Sequence, residues 1–533
     1  MRKIRLAVFL LLLIVAVIAA AAYGLGLIGD SSNGDSEPLG TPAPTPIPII
    51  GQSGESVGMT AASSLLLWVA DGLSPAQLSP ANPGKIVALY GDGTVSELLN
   101  VPAGVTRLNA CGERATSPDG RFFAFYAGGD TGSLYFVDGV NAPSSLAEVN
   151  ALTCLGMGTF LYSPDSQRLG YINYAADAAS SEFPVGALVV ADTVDPANQT
   201  TFDNVTAFDL ETGLVSFVSG FTDSQGDVTE AGIFVWAGEG NPNEISTLFA
   251  DNGCEFRSAS LAFVTTGQLI VNLGQRCNGS RTTWALYSVD IDGRAAGLEL
   301  SDDAVGSYFA ASRPNAVIVA PDGETAYFTY PDGLAQNTVT LRAISLTDME
   351  ASDTLAANAI MPRFVTGRPF DATANARPVI SPDERWFAIV TNNGNNEAAI
   401  NILDLNMPEL PPLTISAGNR GDTISSMTFT SDSAQLLFVS GGNDGGNNSL
   451  FAVDLTTSID RRVVRGRFDM PLVVASDNAV AAIPDWQSEP ENRLTLVGVN
   501  LLGNDTVILY DGATFDGDAL INRRFVYLLS WRQ

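Results

Sequence analysis

From Ser64 onward, apolar residues come in short runs of five to eight, broken by clusters of Gly, Asn, Asp and Pro. The 3.6-residue period of an amphipathic helix almost never appears, so the pattern predicts strands joined by turns. Many runs are apolar at consecutive positions, as in Phe122-Phe123-Ala124-Phe125 and Leu436-Leu437-Phe438-Val439. A strand that is apolar on both faces belongs in a sheet packed between two others.

The runs are introduced by a recurring tetrad. Ser117-Pro118-Asp119-Gly120 precedes Phe122, and Ser163-Pro164-Asp165-Ser166 precedes Leu169. Ala320-Pro321-Asp322-Gly323 and Ser381-Pro382-Asp383-Glu384 lead into similar strands, as do Thr430-Ser431-Asp432-Ser433 and Ala475-Ser476-Asp477-Asn478. Weaker copies stand at Thr265-Thr266-Gly267-Gln268 and Thr222-Asp223-Ser224. Proline presets φ at the first corner, the Asp side chain accepts a backbone N–H, and a small last residue releases the chain. Asp119, Asp165, Asp322, Asp383, Asp432 and Asp477 are therefore read as structural turn residues. A second hairpin closes each unit on an Asp turn, as in Leu134-Tyr135-Phe136-Val137-Asp138-Gly139 and Leu450-Phe451-Ala452-Val453-Asp454-Leu455.

At these residues the chain resembles the WD40-like or TolB-like (PD40-type) β-propeller family, over about residues 60–533. The resemblance implies an all-β fold, a single β-propeller. Seven tetrads and the strands at 65–69 and 86–90 predict about eight four-stranded blades, with seven as the second count. The leading unit lacks its innermost strand, and the apolar stretch 525–531 is expected to supply it and close the ring. That fold is a scaffold with many uses and does not by itself name an activity.

In such a ring the tetrads lie on one face and the loops between second and third strands on the other. Cys111, Cys154, Cys254 and Cys277 map to the loop face. The expected pairs are Cys111 with Cys154 across neighbouring blades and Cys254 with Cys277 within one, although the sequence permits three pairings. The loop face also carries Gly/Asn/Asp-rich segments, whose Asp130, Asn392, Asn393, Asn395, Asn443 and Asp444 are candidate binding residues. They suit ordinary turns equally well. No segment matches a calcium-binding Asp-x-Asp-x-Asp-Gly loop, so no cofactor is expected, with Ca²⁺ on these loops the one alternative.

The N-terminus adds a compartment. Arg2, Lys3 and Arg5 precede an uncharged run over 6–29, long enough as a helix to cross a ~30 Å hydrocarbon layer. Residues 1–29 are read as a transmembrane anchor that holds the rest outside the cytoplasm. The competing reading is a signal peptide cleaved near Ala20-Ala21-Ala22, which makes the protein secreted. Residues 30–58, rich in Gly, Ser, Pro and Thr, form a semi-extended linker, and 59–533 the propeller.

Composition then removes chemistries. The chain of 533 residues has 27 Lys plus Arg, 58 Asp plus Glu and no His, a net charge of −31. The absence of His removes Ser-His-Asp and Cys-His nucleophiles and His-zinc sites. The only lysines are Lys3 and Lys85, which argues against a nucleic-acid partner. Four cysteines beyond a membrane-targeting segment fit an oxidising compartment. The reading is a membrane-anchored, non-catalytic propeller that binds a protein or cell-envelope partner. The alternative is a propeller enzyme acting on polysaccharide or peptide through paired carboxylates, with or without a metal.

Overall fold

A computed structural model describes most residues between Ser64 and Arg532; residues 1–63 and several internal stretches, the longest 301–316 and 361–378, lie outside the description. The described chain is almost entirely strand, with one short helix at Leu152–Leu155.

The strands form seven hydrogen-bonded antiparallel sheets. The first is assembled from both ends of the body, in the order Val95–Asn100, Lys85–Tyr90, Ser64–Asp71, Ala519–Arg532 and Ala513–Asp516. Six blades are then drawn from successive stretches of chain. These second to seventh sheets span residues 107–150, 160–249, 254–300, 317–416, 422–466 and 473–511.

Each sheet packs against its predecessor and its successor, and the series returns to its start. Tyr126 and Leu134 of the second sheet share a core with Phe160 and Tyr171 of the third. Ile233 of the third packs with Leu261 and Val271 of the fourth, whose inner strand Cys254–Thr265 lies against Val317–Val319 of the fifth. Ile400 meets Phe438 between fifth and sixth, and Val439 meets Ile483 between sixth and seventh. The seventh packs on the first through Leu496 against Leu65 and Leu67, and the first on the second through Leu66 and Trp68 against Leu108 and Phe125. Sheets that each pack on a predecessor and a successor and come full circle make a single β-propeller.

Ser64–Asp71 shows why its sequence is apolar throughout. Leu65, Leu67 and Val69 face the seventh sheet, whereas Leu66 and Trp68 face the second. With a period of two, consecutive residues enter different cores, so both sets must be apolar. The ring is closed where the sequence places the clasp: Leu65 stands opposite Trp531, Trp68 opposite Tyr527 and Asp71 opposite Arg524.

The expected division into eight four-stranded blades, or seven, is corrected. Four sheets have four strands, and the others have five, seven and eight. In the third sheet the 13-residue strand Gln199–Glu211 pairs first with Gly186–Asp192 and then with Leu214–Thr222. It bends at Asn204, which takes φ 58°, and does not break, so the stretch for which the sequence counts one tetrad, at 163, forms a single seven-stranded sheet. In the fifth sheet the pair Ala359 and Thr391 joins two groups of strands.

The tetrads build one face. At Ser117 the hydroxyl donates to Asp119 Oδ1 (2.5 Å) and accepts from the Phe122 N–H (2.9 Å), while Asp119 Oδ1 accepts from the Arg121 N–H (3.1 Å). The same bonds recur at Ser163 with Asp165, Ser381 with Asp383, and Thr430 with Asp432. The fourth residue takes positive φ at Gly120, Ser166, Gly323, Glu384, Ser433 and Asn478. Where that residue is Ser or Asn, its side chain reaches the preceding tetrad. Ser166 Oγ accepts from the Asp119 N–H (3.1 Å), Ser433 Oγ from the Asp383 N–H (3.0 Å) and Asn478 Oδ1 from the Ser431 N–H (2.6 Å). Asp322 and Asp477 lie outside the described residues.

Among the described residues no helix is long and apolar enough to cross a membrane; the span expected at 6–29 lies outside them.

Candidate functional site

All four cysteines are paired, Cys111 with Cys154 and Cys254 with Cys277. The second pair stands directly across two hydrogen-bonded strands, at the ends remote from the turn at Gly267. The expectation that Cys111 stands at the start of an inner strand is corrected. It sits partway along the inner run of the second sheet, in an insertion between the pairs Ala110–Phe125 and Thr116–Phe123. Cys154 lies on the short helix that leads into the third sheet, so this bridge ties two sheets together.

Beside it, the loop face forms a fixed corner. The turn Gly128–Gly132 is closed so tightly that a Cβ on Gly128 would lie 2.5 Å from the Gly132 Cα. Tyr126 Oη donates to the Gly129 carbonyl (3.0 Å), and the Ala151 N–H donates to the Asp130 carbonyl (2.9 Å). Asp130 holds its carboxylate outward, 68% exposed, 3.7 Å from the Arg107 guanidinium, which is only 2% exposed. A guanidinium withdrawn from water needs a carboxylate of this kind nearby. Burial raises the Tyr126 phenol well above its ordinary value, against the pull of Arg107, so it stays a neutral donor.

A second cluster lies where the third and fourth sheets meet. Glu255, second residue of the inner strand Cys254–Thr265, shares a hydrogen bond with Asp227 and pairs with Arg257. Burial and the bond with Asp227 raise the Glu255 carboxyl, and Arg257 opposes them. Carboxyls bonded directly to each other leave no gap for a glycosidic bond, which needs about 5 Å or more between them.

Two more carboxyls are perturbed by burial. Asp209, near the end of the strand Gln199–Glu211, accepts from the Leu210 N–H (2.9 Å) and, across to the fourth sheet, from the Phe263 N–H (2.8 Å). Burial pushes it up to about 7, and the charges of Glu211 and Glu384 add to that. Asp485 accepts from the Arg467 N–H (2.8 Å) and is pushed up to about 6 by burial.

Of the six candidate loop residues the structure places Asp130 in this corner. Asn392 and Asn393 end the strand Trp386–Asn393, opposite Ala398 and Glu397. Asn395, Asn443 and Asp444 lie outside the described residues. Among the described residues no group of three or more acidic or cysteine side chains is placed to hold a metal. Arg107, Asp209, Asp227 and Glu255 were not singled out by the sequence, because their partners lie on other strands and no local motif marks them.

No family model matches the sequence, and no curated protein matches it. Solved structures resemble it at low identity. One titled as the eukaryotic initiation factor is 14% identical, with TM-score 0.42, covering 89% of this chain and 98% of its own. The Dos1 propeller is 13% identical, with TM-score 0.41, covering 70% and 89%. Dipeptidyl peptidase 4 of Porphyromonas gingivalis is 11% identical, with TM-score 0.44, covering 76% and 59%. No activity passes to this chain from likenesses at this level.

Proposed function

We propose that the protein is a non-catalytic binding scaffold of the TolB-like repeat type, tethered by residues 6–29 and holding its propeller outside the cytoplasm. The observation that carries this reading is the pairing of all four cysteines, which suits an oxidising compartment. The uncharged segment at 6–29 and the Pro-rich linker supply a route to that compartment and a spacer from the membrane. The tetrad side chains that sequence marks most strongly are engaged in turn and blade-to-blade bonds, leaving the loop face and the rim for a partner.

The test is topology and retention on the full-length protein. External protease should digest the propeller on intact cells, and the protein should co-purify a reproducible envelope component. Protection from external protease, or repeated purification with nothing retained, would overturn the reading.

One observation favours an enzyme as the second reading: the Asp227 and Glu255 carboxyls share a hydrogen bond beside Arg257. If that pair catalyses hydrolysis of a peptide, Glu255→Gln abolishes turnover and leaves the fold intact; the close approach of the two carboxyls excludes a glycosidic substrate.

A further inference from the structure

The rim of the propeller is formed by outer strands whose far edges are unpaired in the sheet order. Five of them, Val95–Asn100, Ser144–Asn150, Asn243–Phe249, Ala295–Leu300 and Thr506–Asp511, each carry one acidic residue and no Lys or Arg. The outer strand of the sixth sheet, Ile459–Gly466, carries Arg461, Arg462 and Arg465 against one acidic residue, Asp460. In a chain of net charge −31 this is a local reversal of sign.

Two of these arginines face water with no partner among the described residues. Arg461 donates to the Leu501 carbonyl and so is spent on the seventh sheet. Arg462 and Arg465 are exposed, and among the described residues neither has a hydrogen-bond or ion-pair partner. A bulge opposite Leu450 and Phe451 brings them to one side of the strand: Arg462 stands against Phe451 and Arg465 against Ser449, two residues apart on the neighbouring strand. Ile459, 64% exposed, extends the same edge with apolar surface.

Charge on a sheet edge also guards against unwanted pairing. Here the other rim strands manage with a single carboxylate or none, so protection does not account for two unpaired guanidinium groups on one side of one edge. An open strand edge offers main-chain donors and acceptors, and side chains choose what pairs with them.

We propose that the strand Ile459–Gly466 is a docking edge for an acidic polypeptide segment, which adds to the sixth sheet as a further extended strand with its carboxylates against Arg462 and Arg465. This deepens the scaffold reading and rests on it only in assuming a polypeptide partner. A basic segment is repelled here, and the acidic remainder of the surface turns an acidic segment away from every other rim strand.

The test uses full-length protein in detergent and a fluorescent peptide of alternating Glu and Val, matched to the 8 residues of the rim strand. Anisotropy should report saturable binding that weakens with salt. R462E/R465E should weaken it by about tenfold or more while the melting temperature is unchanged. The same peptide with alternate backbone nitrogens methylated keeps its charge, cannot pair as a strand, and should not bind. Equal binding of the methylated peptide, tighter binding of inorganic polyphosphate, or no loss in R462E/R465E would overturn the proposal. So would dimerisation of the protein abolished by R462E/R465E, which would make a second copy the occupant. A partner retained through the loop face by R462E/R465E as well as by the parent would leave the scaffold reading standing and this edge without a role.

Discussion

Asp209 is the residue at which local chemistry reaches furthest. Its carboxyl spans the seam between third and fourth sheets, and burial together with Glu211 and Glu384 raises it to about 7 from an ordinary 3.8. The folded protein therefore holds a proton at pH values where the unfolded chain has lost it. The associated stability is complete below about pH 4 and is lost as pH rises to 7. Asp209→Asn removes the titrating group and keeps an acceptor for Phe263. Between about pH 5 and about pH 8 the parent should lose on the order of 2–3 kcal/mol more stability than the variant, read from urea midpoints. Parallel profiles would show that Asp209 stays charged throughout. The tetrad aspartates were legible because their partners are two residues away in sequence. Asp209 was not, because the N–H it accepts from is 54 residues distant.

Among elements, the two disulfides do unequal work. Cys254 and Cys277 join strands already held by a continuous ladder, whereas Cys111 and Cys154 join two sheets through a helix of 4 residues. Replacing Cys111 and Cys154 together by Ser should cost about 2–4 kcal/mol, and the same change at Cys254 and Cys277 less. Equal costs in denaturant midpoints would contradict the inter-sheet role. The pairing was readable from the repeat, since each cysteine could be assigned to a blade. The place of Cys111 within its strand was not, because an insertion changes register without changing hydrophobic pattern. Blade count failed for a related reason. The tetrads at 320 and 381 read as two units, yet the pairing of Ala359 with Thr391 joins their strands into one sheet, and that pairing has no mark in the sequence.

For the whole molecule, the ring depends on the pairing of Ser64–Asp71 with Ala519–Arg532. Deleting residues 519–532 exposes the inner edge of Ser64–Asp71 and uncovers Leu65, Leu67 and Trp68, all fully buried. The truncated protein should aggregate or migrate as an expanded species in size-exclusion chromatography, and its thermal transition should broaden. A sharp transition and an unchanged elution volume would show that closure is dispensable. This closure was legible because an apolar stretch at one end answered a missing strand at the other; the candidate loops were not resolved into a site by that logic, because Gly and Asn mark bends wherever they occur.

The clasp also imposes a birth order. Ser64–Asp71 leaves the ribosome some 450 residues ahead of its partner, and at about 5–20 residues per second it must wait roughly 25 to 90 s with one edge raw. During that interval the nascent polypeptide needs a chaperone or rapid stacking of the next blades to keep a greasy ribbon from finding a stranger. A chain that stops short of 519–532 is left with this edge open, whatever the state of its other blades.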